Sequence, residues 1–236
     1  MRSNLEVDTL IRPEILYEDN HIIVAIKPAG VLSQSDGSDA PDMLTALKEY
    51  IKVTYGKPGN VFLGLVHRLD RPVSGVMVFA KTSKAASRIS EQIRKREVTK
   101  LYRAVTEGIP EPRKGRYENW CTKDQGANTT TVSDKPINKD SKISSLSYEV
   151  SGTSSFGGKT VSLVNVRLET GRSHQIRSQM AYNGHPLLGD ARYGTGSYKG
   201  DICLQSCYLA FRHPTKGEEM AFTMPIPNDG PWALFA

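Results

Sequence analysis

The nine residues from His67 to Gly75, HRLDRPVSG, join two apolar runs, Val61-Phe62-Leu63-Gly64-Leu65-Val66 before them and Gly75-Val76-Met77-Val78-Phe79-Ala80 after. Short apolar runs bounded by turn residues read as buried strands, and Pro72 and Gly75 mark the connection as a turn. The chain must therefore hold a carboxylate, Asp70, between Arg68 and Arg71 where a buried strand runs out. Two neighbouring cations bias that carboxylate towards its ionised form. Loops carried on rigid strands are also where reactive groups reach solvent and substrate. The same pattern equally describes a turn capped by Asp70, with Arg68 and Arg71 as solvated partners worth little. Spacing alone leaves both readings open.

Elsewhere, residues 21–26 read as a strand, and residues 41–55 as a helix with Leu44, Leu47, Lys48 and Ile51 on adjoining turns. Strands are expected at 61–66 and 75–80, then a helix, then a strand through Leu101, Arg103 and Val105. Residues 122–145 are rich in Thr, Ser, Asn, Asp and Lys without periodicity, which marks a long loop or polar hairpin. Strand patterns resume at 146–150 and 161–168, Ser173 is placed to cap a short helix running to about Asn183, and 204–211 is the last strand candidate. Strands outnumber helices and do not alternate with them, so the expected class is α+β with a mainly antiparallel sheet. The 236 residues can bury a sizeable core, and no Pro/Ser-rich linker or repeat divides them, so one domain over 1–236 is expected.

Charge is localised. The net charge is +6, and residues 81–103 hold eight Lys or Arg against two Glu, so this stretch carries the whole excess. Thr82 or Ser83 can cap a helix there, with Ala85, Ile89 and Ile93 forming one buried stripe. Lys84, Arg88, Arg94, Lys95 and Arg96 then fall off that stripe. Such a face either keeps the helix soluble or attracts a phosphate backbone by counterion release.

The remaining composition excludes several classes. Cys121, Cys203 and Cys207 lack the number and spacing of a disulfide framework, and the five histidines are scattered without HExxH or CxxC, so no catalytic metal is indicated. No GxSxG elbow marks a Ser-His hydrolase. Residues 1–8 carry no apolar run resembling a signal peptide, and no segment approaches membrane-spanning length. A soluble, cytoplasmic protein with reduced thiols is expected.

HRLDRPVSG resembles the catalytic signature of the RluA-type pseudouridine synthases, which isomerise uridine in RNA. Five further segments agree in the family's order: Lys27-Pro28-Ala29-Gly30-Val31 with "KPAGV", Lys100-Leu101-Tyr102-Arg103-Ala104 with "KxYxA", and Gly171-Arg172-Ser173-His174-Gln175-Ile176-Arg177 with "GRTHQIR". Leu188-Gly189-Asp190 with Tyr193-Gly194 matches "LxGDxxYG", and Leu209-Ala210-Phe211-Arg212-His213-Pro214 matches "LxFxHP". Val73 stands where the family usually has Thr, Ser178-Gln179 where it commonly has Val-His, and Gln205-Ser206 where His-Ala is frequent.

The resemblance implies a mixed, largely antiparallel central sheet flanked by helices. Many relatives carry a separate N-terminal S4 domain; about twenty residues precede the first expected strand here, so none is expected. The resemblance also implies Asp70 as the catalytic carboxylate, Arg177 as its partner and Tyr102 as the tyrosine that stacks on the uracil. Neither cofactor nor metal is implied. Together with the charge pattern it nominates Arg68, Arg71, Lys84, Arg88, Arg94, Lys95, Arg96, Lys100, Arg172 and His174 as RNA contacts, to ribosomal or transfer RNA, in a monomer with no protein partner. A non-catalytic RNA-binding protein on the same fold is the competing expectation.

Overall fold

The structure, a computed structural model, describes residues 11–236. In chain order the elements are β1 (Glu14–Glu18), β2 (Ile22–Lys27), α1 (Met43–Thr54), β3 (Gly64–Leu65), β4 (Ser74–Ala80), α2 (Ser83–Arg94) and β5 (Thr99–Glu107). They continue with β6 (Lys114–Asp124), β7 (Thr129–Ser133), β8 (Lys142–Phe156), β9 (Lys159–Leu168), α3 (Gln175–Tyr182), β10 (Leu204–Arg212) and β11 (Glu219–Thr223), and a 3-10 turn covers Gly230–Leu234. The class is α+β, with a mixed, mainly antiparallel sheet and, among the described residues, three α-helices, as the element pattern implies. Two compact units share the chain. One ends at Thr99 and takes in Leu209–Thr223; the other comprises Lys100–Tyr208 and Met224–Ala236.

In the first unit β2 lies between β1 and β4, antiparallel to both. Ile22 to Ala25 have no exposed surface, which is what an uninterrupted apolar run requires of a central strand. Asp42 caps α1, its carboxylate accepting the Thr45 N–H, and Met43, Ala46, Leu47 and Ile51 form the buried face. Thr82 caps α2 in the same way through the Ala85 N–H, with Ala85 and Ile89 buried.

The second unit is a meander of long antiparallel strands in the order β5-β9-β8-β6-β7. The β8–β9 hairpin turns through Gly157 and Gly158, at φ +57° and +76°, the pairing that a tight turn matched to strand twist needs. Val105, Val161, Leu163, Leu188, Cys203 and Trp232 make its core, with Phe156, Tyr198, Ile226 and Phe235 packed around them.

Several boundaries differ from the sequence reading. The strand expected at 61–66 shrinks to Gly64–Leu65, because the His67 ring, not a further strand carbonyl, takes the Val78 N–H at 3.1 Å. Residues 122–145 are a hairpin: β6 pairs with β7, and β8 begins at Lys142. β1, β6 and β11 went unrecognised, and β10 is not the last strand. Ser173 does not cap α3; the N-cap is His174, in the left-handed region at φ +53° with no side-chain cap bond.

Candidate active site

In the first unit the segments resembling "KPAGV" and the catalytic signature are sewn together. The backbone N–H of Gly30 donates to the Arg71 carbonyl at 2.9 Å, and the Arg71 Nε returns a bond to the Gly30 carbonyl at 2.9 Å. Gly30 adopts φ +80°, which brings that backbone in close. On the other flank of Asp70, the Ser33 hydroxyl donates to the Leu69 carbonyl at 2.8 Å and accepts its N–H at 3.0 Å. The turn closes from the Val73 N–H to the Asp70 carbonyl at 3.0 Å. Both backbone neighbours of Asp70 are thus pinned, so its carboxyl projects from a rigid loop.

Lys27 lies under this loop and has no exposed surface. Its ammonium donates to the carbonyls of Val31 at 2.6 Å, Pro28 at 2.8 Å and Arg71 at 3.0 Å. Burial pulls its pKa down to about 7, while the negative charge of Asp70 pulls the other way. A lysine closing an apolar strand gives little sequence sign of such burial.

The second unit holds the other group of candidates. Tyr102 sits on β5 opposite Val166 and is 8% exposed. Arg177, on α3, is buried and grips Asp190 with two parallel bonds, Nε to Oδ2 at 2.8 Å and Nη2 to Oδ1 at 2.7 Å. Burial alone would raise the pKa of Asp190, but the Arg177 contacts and the N–H groups of Arg192 and Tyr193 outweigh it and hold the carboxyl below its ordinary value. The Tyr193 ring lies against the guanidinium, 5.4 Å from its central carbon.

Tyr193 also fixes His174. Its hydroxyl accepts the Thr130 N–H at 2.7 Å and is hydrogen-bonded to His174 Nδ1 at 2.9 Å. Helix α3, buried from Gln175 to Met180, is docked through polar bonds. The Gln175 amide donates to the Ser145 carbonyl at 3.0 Å, and that of Gln179 to the Ser144 carbonyl at 3.1 Å and Asn119 Oδ1 at 3.0 Å.

The nominated RNA contacts divide by exposure. Arg68, Arg71, Lys84, Arg88, Arg94, Lys95, Arg96 and Arg172 are exposed, whereas Lys100 is half-buried and His174 is 8% exposed. Arg88 is partly engaged, its Nη1 donating to the Pro214 carbonyl at 2.6 Å. Burial lowers the pKa of Lys100 to about 8. Sequence alone assigns no role to Lys27, Ser33, Asp190, Tyr193 or Thr130; the "KPAGV" and "LxGDxxYG" segments contain Lys27, Asp190 and Tyr193, and Ser33 and Thr130 carry no such signal.

The sequence profile of RNA pseudouridylate synthases matches residues 21–182, a span that contains the Asp70 loop, Tyr102 and Arg177. The chain belongs to this family. It is of the RluA type, and its activity is that of an RNA pseudouridine synthase, an isomerase. It is 33% identical over 92% of its length to an uncharacterised RNA pseudouridine synthase of Aquifex aeolicus, spanning 72% of that protein. It is 34% identical over 91% of its length to ribosomal large subunit pseudouridine synthase D of Vibrio cholerae, spanning 68% of it. Against the protein of the same name from Neisseria meningitidis the identity is 34%, with 92% of this chain and 59% of that protein covered. The fold is that of the human RNA pseudouridylate synthase domain containing 4, with a TM-score of 0.74 at 22% identity over 91% of this chain and 88% of that one. Among the described residues, no helix is long and apolar enough to cross a membrane.

Proposed function

We propose that this synthase converts specific uridines of large-subunit ribosomal RNA to pseudouridine, with Asp70 starting the reaction. Forming pseudouridine requires the bond from ribose to N1 of uracil to break, the base to turn, and a bond to form to C5. One carboxylate suffices, as nucleophile towards sugar or base or as base towards a ribose proton, because no water enters the product. The observation that carries this assignment is the Asp70 loop itself: a carboxylate whose two backbone neighbours are both held by bonds to the 27–33 segment. A group held in fixed geometry on a rigid scaffold can replace much of the entropic cost of reaching the transition state.

In this reading Arg177 pairs with Asp70 and orients it, and Tyr102 lies against the uracil. The target base is flipped from its stack at a cost of a few kcal/mol, with Arg68 filling the vacated space. Structured RNA with a loop or bulge is the preferred substrate, since its bases are already partly exposed. The exposed basic residues of α2 supply affinity for the phosphate backbone without sequence choice. The names of the Vibrio and Neisseria relatives support ribosomal over transfer RNA. Mapping pseudouridines in total cytoplasmic RNA from a strain lacking the gene tests the assignment. One or a few large-subunit positions should revert to uridine; reversion confined to transfer RNA, or none, would refute it.

A further inference from the structure

Of the six phenylalanines, all of them among the described residues, Phe62 alone is exposed, at 54%. Its ring lies over Gly64 beside the first turns of α2: a Cβ on Gly64 would come within 3.1 Å of the Ala86 Cβ and 3.5 Å of the Phe62 ring. Tyr55, 52% exposed, stands at the same end of that helix. Lys81, which directly precedes the Thr82 cap, holds its ammonium 4.9 Å from the centre of the Tyr55 ring. A single exposed apolar side chain is ordinary. Two large rings at one helix end, both on the segment joining α1 to β3, are not.

Tyr55 is also held in place. Its hydroxyl donates to Glu18 Oε1 at 2.9 Å, and the same carboxylate takes the Tyr50 hydroxyl at 3.0 Å and the Lys81 ammonium. A ring fixed by its hydroxyl, with a cation over one face, gives up little freedom when a flat partner stacks on it.

The surroundings select that partner. From Ile51 to Val66 the chain carries Lys52 and Lys57, both exposed, and no carboxylate. Lys84 and Arg88 stand exposed on the first half of α2. Cations around open aromatic rings suit a nucleic acid with unpaired bases, whose phosphates meet the cations while its bases stack on the rings. The place is remote from the Asp70 loop. β4 begins at Ser74, four residues past Asp70, and ends at Ala80, opposite Gly64. Six strand steps put the rings about 20 Å from that loop.

We infer that Tyr55 and Phe62 form a stacking platform for unpaired nucleotides of the substrate RNA that lie away from the reacting uridine. The inference rests on the reading that the cations of α2 contact RNA.

Phe62→Ala, at an exposed position, leaves the fold intact and removes one ring. Its affinity for an oligouridylate of about 20 nucleotides should fall about 5- to 50-fold, while that for an RNA duplex of the same length stays within about twofold, because paired bases do not reach the ring. The salt dependence of single-strand binding should not change, since the ring carries no charge. Phe62→Trp should restore the affinity, and the emission it adds should be quenched by the single strand. Tyr55→Leu should weaken single-strand binding as Phe62→Ala does, whereas Tyr55→Phe, which keeps the ring, should lose less than about threefold. In tritium release from RNA labelled at carbon 5 of uracil, Phe62→Ala should raise KM about fivefold or more and leave kcat within about twofold.

Wild-type affinity of Phe62→Ala for the single strand would overturn the proposal and leave the rings to a protein surface. Equal losses on single strand and duplex, or a fall in kcat, would overturn it as well. If replacing Arg94, Lys95 and Arg96 with Gln leaves the salt dependence unchanged, the RNA reading of α2 fails and the platform with it. A reduced salt dependence beside unchanged binding by Phe62→Ala would sink the platform alone.

Discussion

Lys27→Met tests the ground under Asp70. Lys27 has no exposed surface, and its ammonium bonds three carbonyls, one of them that of Arg71 in the catalytic loop. With its pKa lowered from 10.5 to about 7 by burial, the folded chain releases a proton across a window in which the unfolded chain keeps one. Stability rises with pH wherever the unfolded state binds more protons, so Lys27 adds a slope of about 1.4 kcal/mol per pH unit above pH ~7. Over the whole window that amounts to about 5 kcal/mol; below pH ~7 both states are protonated and the slope vanishes. At neutral pH the substitution removes three charge-assisted bonds worth about 1.5–3 kcal/mol each and relieves a burial cost of about 5 kcal/mol, leaving a net loss of about 0–4 kcal/mol. Urea unfolding of both proteins at pH 6, 7.5 and 9 resolves this. The wild-type advantage should be flat up to about pH 7 and then widen by about 2 kcal/mol between pH 7.5 and 9. A difference that stays constant from pH 6 to 9 would show that the carbonyls hold Lys27 near its ordinary pKa, and would refute the reasoning. Because the Arg71 carbonyl loses its buried donor, kcat should also fall more than RNA affinity.

Two further outcomes follow from the geometry. Replacing Arg94, Lys95 and Arg96 together with Gln should weaken RNA binding and reduce the slope of log K against log salt by about 2–3 units; the bridges of Arg94 and Lys95 to Glu91, at 3.8 and 3.0 Å and exposed, are too weak to compete. An unchanged slope would return α2 to a solvated face. Tyr193→Phe leaves the buried Thr130 N–H and His174 Nδ1 without the partner hydroxyl and should cost about 1–3 kcal/mol in chemical unfolding. A change below ~0.5 kcal/mol would show that neither group depends on the Tyr193 hydroxyl.

What the sequence made legible was local. An uninterrupted apolar run found β2, the Thr82 cap and the Ala85–Ile89 stripe found α2, and turn residues found the Asp70 loop. What it hid depends on groups distant in sequence or without apolar period. β11 is only five residues long, with no buried position among its alternating exposed and half-buried residues, and the first half of β6 is polar. β3 stops short because an imidazole replaces a ladder carbonyl, which no strand pattern encodes. His174 displaces Ser173 as the cap of α3, its ring being held by the hydroxyl of Tyr193, nineteen residues on. The partner of Arg177 within its unit, Asp190, lies thirteen residues downstream and past a helix end, beyond the reach of any periodicity. Lys27 follows an apolar run with nothing in the sequence to mark it as buried, and only the fold shows that three carbonyls converge on it.

Release of tritium from carbon 5 of uracil tests the central claim most directly, since forming the new carbon–carbon bond expels the hydrogen there. With 5-tritiated RNA from a strain lacking the gene, the wild-type protein should release label to water without added cofactor and in the presence of EDTA. Asp70→Asn keeps the shape while removing the charge and most of the nucleophilicity, and should bind the same RNA yet release essentially no label. Equal release by the two proteins would show that Asp70 does not carry the reaction.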